Sequence, residues 1–104
     1  MEKQLSEDEK LLEEVKNYLD ITWELSAGEK EKLSGTIERG KSYLTGKIGQ
    51  CDFTENTQEK DLLLNYCMYA RAGQISEFVA NYLGEIISLQ INRWRKKKDA
   101  ENQG

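Results

Sequence analysis

Apolar positions recur at helical spacing along most of this chain. Leu11, Leu12, Val15, Tyr18 and Leu19 fall at i, i+1, i+4, i+7 and i+8, one stripe of a short helix. Ser6-Glu-Asp-Glu9 ahead of it has the capping-box form, with Ser6 placed to accept from the Glu9 backbone N–H, and Asp20-Ile-Thr-Trp23 closes it. This predicts a first helix over 7–20. A second capping box, Ser26-Ala-Gly-Glu29, opens a helix over 27–46 that carries Leu33, Ile37, Gly40 and Leu44 on one face. Gly46-Lys-Ile-Gly49 stops it, because glycine takes the left-handed position past a helix end without steric cost. A polar loop follows over 47–57, with Phe53 tucked under the domain. Asn56 or Thr57 caps a third helix over 58–72.

Gly35 and Gly40 each cost about 1 kcal/mol relative to alanine inside a helix. Two readings stand: a marginal surface helix, or close approach of another backbone at Gly40. The stretch Tyr66–Ile86 poses a different problem. Taking about 100° per residue from Leu63, Tyr66, Cys67 and Ala70 cluster within roughly 60°, whereas Ile75, Phe78, Val79, Tyr82 and Ile86 centre near about 120°. One continuous helix would face two partners, so the pattern predicts a break at Gly73 and a fourth helix over 75–95, with Ser76 as its cap. The fold class expected is all-α, a compact bundle of about four helices.

Composition supports that class. The 104 residues include no proline, and hydrophobic residues make up 38% against 33% charged, a balance that favours helix in one small domain. We read 1–98 as that domain and 99–104 as a disordered tail. No apolar run approaches the ~18 to 20 residues of a membrane span. The opening MEKQLSEDEK has no apolar region of a secretory signal, and two cysteines are few for a secreted scaffold. A reducing cytoplasm is the expected compartment, with Cys67 a buried small hydrophobe.

The chemistry-bearing residues exclude more than they offer. There is no histidine, Cys51 and Cys67 lie sixteen apart without other metal-ligand support, and no glycine run has phosphate-cradling order. Acidic pairs such as Glu13-Glu14 read as solvated surface. We expect no enzyme, no cofactor, no metal and no small-molecule substrate. What remains is surface. Residues 1–38 hold eleven acids and five bases, a net of −6, which leaves +2 for 39–104. Five bases crowd into Arg93, Arg95, Lys96, Lys97 and Lys98 around Trp94. They either finish the last helix by complementing its dipole, or form a docking segment with Trp94 as anchor. Tyr69, Phe78 and Tyr82 are read as core or subunit contact, and with Arg93–Lys98 they make up the candidate interface.

Several segments resemble one family. Leu12-Glu-Glu-Val-Lys-Asn-Tyr-Leu-Asp-Ile21 resembles the opening helix of the small helical head–tail connectors of tailed phages and prophages. Leu33–Gly46 is similar to that family's second helix. Asp61–Ala72 and Ser76–Leu89, including Tyr69-Ala-Arg71, Glu77-Phe78 and Asn81-Tyr82, are similar to its closing helices. The likeness spans roughly 11–92. It departs after the first helix, where many members carry a run of aspartates and this chain has Thr22–Gly28. The resemblance implies a homo-oligomeric ring beneath a portal protein that extends the DNA channel, joins stopper and tail proteins, and resides in the host cytoplasm and then the virion neck. An acidic lining would let DNA slide, because it repels phosphates. The residues alone leave two alternatives: a nucleic-acid-binding packaging accessory using Arg93–Lys98, or a helical regulator acting through protein contacts.

Overall fold

The computed structural model describes residues 6–102 as four helices: α1 (Glu7–Tyr18), α2 (Ala27–Ile48), α3 (Gln58–Arg71) and α4 (Ile75–Asn102). The chain is an all-α bundle, as its periodicity predicts. The opening residues Met1–Leu5, and with them part of the expected 1–98 domain, lie outside the described residues.

Both capping boxes form. Ser6 accepts from Glu9 N–H at 3.2 Å, and Ser26 accepts from Glu29 N–H at 3.2 Å while Glu29 accepts the Ser26 N–H at 3.0 Å. Hydrogen bonds from the Ser26 backbone and then its side chain hold the Glu29 carboxyl below the usual carboxylate range. Thr57, rather than Asn56, caps α3 by accepting from Lys60 N–H at 3.1 Å.

Two helices end alike. Asp20 takes the left-handed φ of 58°, and Ile21 N–H returns to the Lys16 carbonyl at 2.9 Å. Gly73 takes a φ of 71°, Gly73 N–H donates to Ala70 O at 3.0 Å, and Gln74 N–H donates to Tyr69 O at 2.7 Å. Both are Schellman ends, in which the two residues past the helix satisfy its last carbonyls. The first therefore stops α1 at Tyr18, short of the expected 20. The second produces the break at Gly73. Phe78 N–H then donates to Gln74 O at 3.2 Å, so Gln74 stands at the start of α4 and Ser76 lies inside it, not at the cap.

α2 outlasts its expected end at 46, because buried Ile48 still belongs to the core and Gly49, at φ 102°, is the residue that leaves the helix. The loop after it is held by Asp52, which accepts from Thr54 N–H at 2.9 Å and from Thr54 Oγ1 at 2.7 Å; those bonds lower the Asp52 pKa. Phe53 packs partly buried against the core.

The core joins Leu11, Leu12 and Val15 of α1, Leu33, Ile37, Leu44 and Ile48 of α2, Leu62, Leu63, Tyr66 and Cys67 of α3, and Phe78, Ile86 and Leu89 of α4. Tyr18 does not join it. The ring is half exposed, and its hydroxyl donates to Asn65 Oδ1 at 2.9 Å. At Gly40 an added Cβ would stand 2.7 Å from Leu63 Cδ1 and 2.8 Å from Tyr66 Cδ1. The close approach is real, but side chains of α3 make it rather than a backbone. Lys60 is the one buried charge among the described residues, and its Nζ meets Glu14 Oε1 at 2.7 Å, tying α3 to α1. α2 and α3 pack on each other and on both outer helices, whereas α1 and α4 do not pack together. The molecule is only 17 Å through its thinnest direction against 51 Å along its longest, so each helix keeps a face near solvent.

Candidate docking face on α4

α4 is 28 residues long, twice the length of α3, and its packing surface accounts for only part of its circumference. Phe78 is wholly buried at the centre of an aromatic cluster. Its ring centroid lies 5.5 Å from Tyr66, 5.0 Å from Tyr82 and 5.9 Å from Tyr69. Phe78 is therefore a core residue and cannot offer a surface to a partner, which corrects its place in the expected interface. Tyr69 and Tyr82 are partly buried against the same cluster, with centroids 6.0 Å apart. Burial, and next the neighbouring Tyr69, push the Tyr82 hydroxyl pKa up.

Further along, polar side chains fasten α4 to the ends of α2 and α3. Gln58 Nε2 donates to Glu85 Oε1 at 2.8 Å and Gln90 Nε2 donates to the Lys47 carbonyl at 2.7 Å. Arg93 donates to the Gln50 carbonyl and sits 3.7 Å from a Glu59 oxygen. Arg93 is thus a clamp on the body, not a free cation of a docking segment. Beyond it, every side chain from Trp94 to Glu101 is exposed, and the helix continues through Asn102. The expected helix end at 95 and disordered tail over 99–104 are corrected over 99–102; residues 103–104 lie outside the described residues. Nothing in Asp99-Ala-Glu-Asn102 breaks a helix, and the apolar pattern ends before the backbone does.

That extension removes one of the two readings of the basic cluster. A helix dipole acts on charges in its last turn, and the last turn of α4 carries no base. Arg95, Lys96, Lys97 and Lys98 lie upstream of it, so completing the helix end does not explain them. Lys98 Nζ rests 5.7 Å from the Trp94 ring centroid, which keeps that exposed indole beside a cation.

A feature that the apolar spacing did not single out lies next to this cluster. Leu83, Ile87, Ile91 and Trp94 are 51%, 41%, 45% and 59% exposed. They recur at i, i+4, i+8 and i+11, so they form a second apolar stripe on α4, about half exposed, whose Ile91 and Trp94 border Lys47, Ile48 and Gly49 at the end of α2. The signal was present in the sequence, but the first stripe alone sufficed to define the helix. Exposed large apolar residues scattered singly need no explanation; a continuous row beside a basic segment makes a candidate interaction surface.

A groove of about 600 Å³ between α2 and α3, lined by Leu33, Arg39, Tyr66, Arg71 and Ile75, has Cys67 as its one thiol. Burial pushes the Cys67 pKa up to about 12, which removes the thiolate that a nucleophile or metal ligand requires. Arg71 at the rim stacks on Trp23, 6.0 Å from the ring centroid. Among the described residues no group of acidic, cysteine or histidine side chains is placed to hold a metal ion, and no helix is long and apolar enough to cross a membrane.

Compared with known protein families, curated proteins and solved structures, the chain has no match.

Proposed function

We propose that this chain is a structural assembly protein acting through protein–protein contacts, and specifically a head–tail connector of the tailed-phage kind. In that role copies form a ring beneath a portal, continue the DNA channel and receive stopper and tail proteins at the virion neck, after assembly in the host cytoplasm. One observation carries the reading: α4 holds a half-exposed apolar stripe that runs into an exposed cationic end beyond its last clamp at Arg93. A helix built this way offers a second chain both apolar area and charge. The order of helices and the resemblance over 11–92 supply the particular assembly.

Nucleic-acid binding is the less favoured alternative. Arg95, Lys96, Lys97 and Lys98 are consecutive, so at about 100° per residue they surround the helix instead of lining one side along a phosphate backbone. The test is assembly of the purified protein with its cognate portal. Truncation after Arg93 keeps the clamp to Gln50 and Glu59, so the unfolding midpoint stays near that of the full chain and only the helical signal of residues 94–102 is lost, while portal association weakens at least about tenfold. Undiminished association of the truncated chain, or none by the full chain, overturns the proposal. Tight duplex binding that falls steeply with salt would transfer the role to nucleic acid.

A further inference from the structure

The stripe on α4 also has internal geometry. Setting Leu83 at zero with about 100° per residue, Trp94, Ile87 and Ile91 fall at about 20°, 40° and 80°, and Ala80 falls at about 60°. The residues that face the bundle, Phe78, Tyr82, Ile86 and Leu89, lie between about 220° and 300° on the same wheel. The stripe is thus a separate face from the one that packs on the core, with Ile91 and Trp94 at its far end beside Lys47, Ile48 and Gly49.

This face is complementary to itself when reversed. In an antiparallel pair crossing at Ile87, Ile87 meets its own copy and Leu83 meets Ile91. Trp94 meets Ala80 beside Gly84, where no atom stands within 4 Å of an added Cβ, so the largest side chain of the stripe meets its flattest part. The charges agree. Glu77 and Arg95 both lie at about 120°, on one flank of the stripe. Antiparallel helices bring like flanks together, so Glu77 of one copy comes within two residues, about 3 Å of helix rise, of the level of Arg95 of the other, twice by symmetry. Both side chains are exposed, and neither takes part in an ion pair among the described residues.

We infer that in the free protein a second copy of this chain covers the stripe Leu83, Ile87, Ile91 and Trp94, antiparallel and related by a two-fold axis at Ile87. The inference goes beyond the connector reading and does not rest on it. A two-fold contact closes after two copies, whereas a ring requires head-to-tail contacts. The pair is therefore a state held before assembly, and it must part before the stripe can meet another chain.

Sedimentation equilibrium and light scattering on the full-length protein test it. The expected result is a reversible monomer–dimer equilibrium in the micromolar range. Ile87→Lys sets two ammonium groups against each other in the apolar seam and raises Kd at least about thirtyfold. Glu77→Arg or Arg95→Glu alone weakens pairing about three- to tenfold at low salt, and the double swap returns Kd to within about twofold of the unsubstituted chain. A monomer up to high micromolar concentration overturns the inference. So does a dimer that persists through Ile87→Lys, or a double swap no tighter than the single ones. Circular dichroism reports whether Ile87→Lys keeps its helices; should it not, the Glu77 and Arg95 set alone decides. Portal association, measured separately, bears on the connector reading only.

Discussion

At Gly40 an added methyl would stand 2.7 Å from Leu63 Cδ1, while at Gly46, on the same helix, nothing lies within 4 Å of the added atom. Both glycines cost about 1 kcal/mol in helix propensity, so alanine relieves that cost at either site. Overpacking costs about 1 to 3 kcal/mol, which outweighs the relief at Gly40 and has no counterpart at Gly46. Chemical denaturation should therefore show Gly40→Ala destabilised, by up to about 2 kcal/mol once the relief is subtracted, and Gly46→Ala stabilised by about 0.5 to 1 kcal/mol. Cys67 gives a pH signature. Its thiol pKa is raised by burial from 9.0 to about 12, so across that interval the unfolded chain loses a proton that the folded chain keeps. The thiol's contribution is intact below about pH 9 and then falls by roughly 1.4 kcal/mol per pH unit as pH rises towards the folded value. Because burial also raises the Cys51 thiol pKa in both chains, the slope should appear in the difference between the unfolding free energies of the natural chain and Cys67→Ala, followed from pH 8 to 10. Gly40 and Cys67 were legible in the sequence, since each interrupts or joins an apolar row. Lys60 was not: its burial depends on Glu14, 46 positions away, and no local pattern encodes that distance.

At the scale of elements, starts were more legible than ends. Capping boxes write a helix start into four adjacent residues, and both formed as expected. An end depends on which residue turns left-handed. Gly73 announced itself, whereas Asp20 did so only in the fold, where Ile21 is drawn into the core. At Gly73 nothing stands within 4 Å of an added Cβ, so its substitution is resisted by backbone conformation alone. Gly73→Ala should cost about 1 to 2 kcal/mol. Gly73→Asn should cost less, because asparagine tolerates the left-handed region better; thermal melts of the two variants check the order. The far end of α4 was missed because no stop residue marks it, and a reading guided by apolar spacing ends with the last apolar side chain, Trp94.

For the whole molecule, the core was legible because four amphipathic stripes have to meet somewhere, and the break at Gly73 followed from that requirement. The candidate docking face was only half legible. Arg95–Lys98 and Trp94 were evident as a cluster, but Arg93 could not be told from its neighbours until Gln50 and Glu59 were seen to hold it. Phe78 was misassigned for the converse reason: aromatic residues serve cores and interfaces alike, and only packing separates the two uses. The acidic first third and the cationic end of α4 give one small body two regions of opposite charge. Association through them should weaken as salt rises, and a titration of the proposed portal association from low to physiological ionic strength should show it.

The clamp at Arg93 divides α4 into a stretch that shares the bundle's stability and a stretch that does not. Backbone amides up to Leu89 should exchange with deuterium only when the whole domain opens, whereas those beyond Lys98 should exchange almost as fast as in a free peptide. Whatever seats on the outer turns, a second copy or an assembly partner, will slow that exchange from the clamp outwards. The projecting end thus acts as a built-in reporter: the position along α4 at which protection stops measures how far the bound chain reaches.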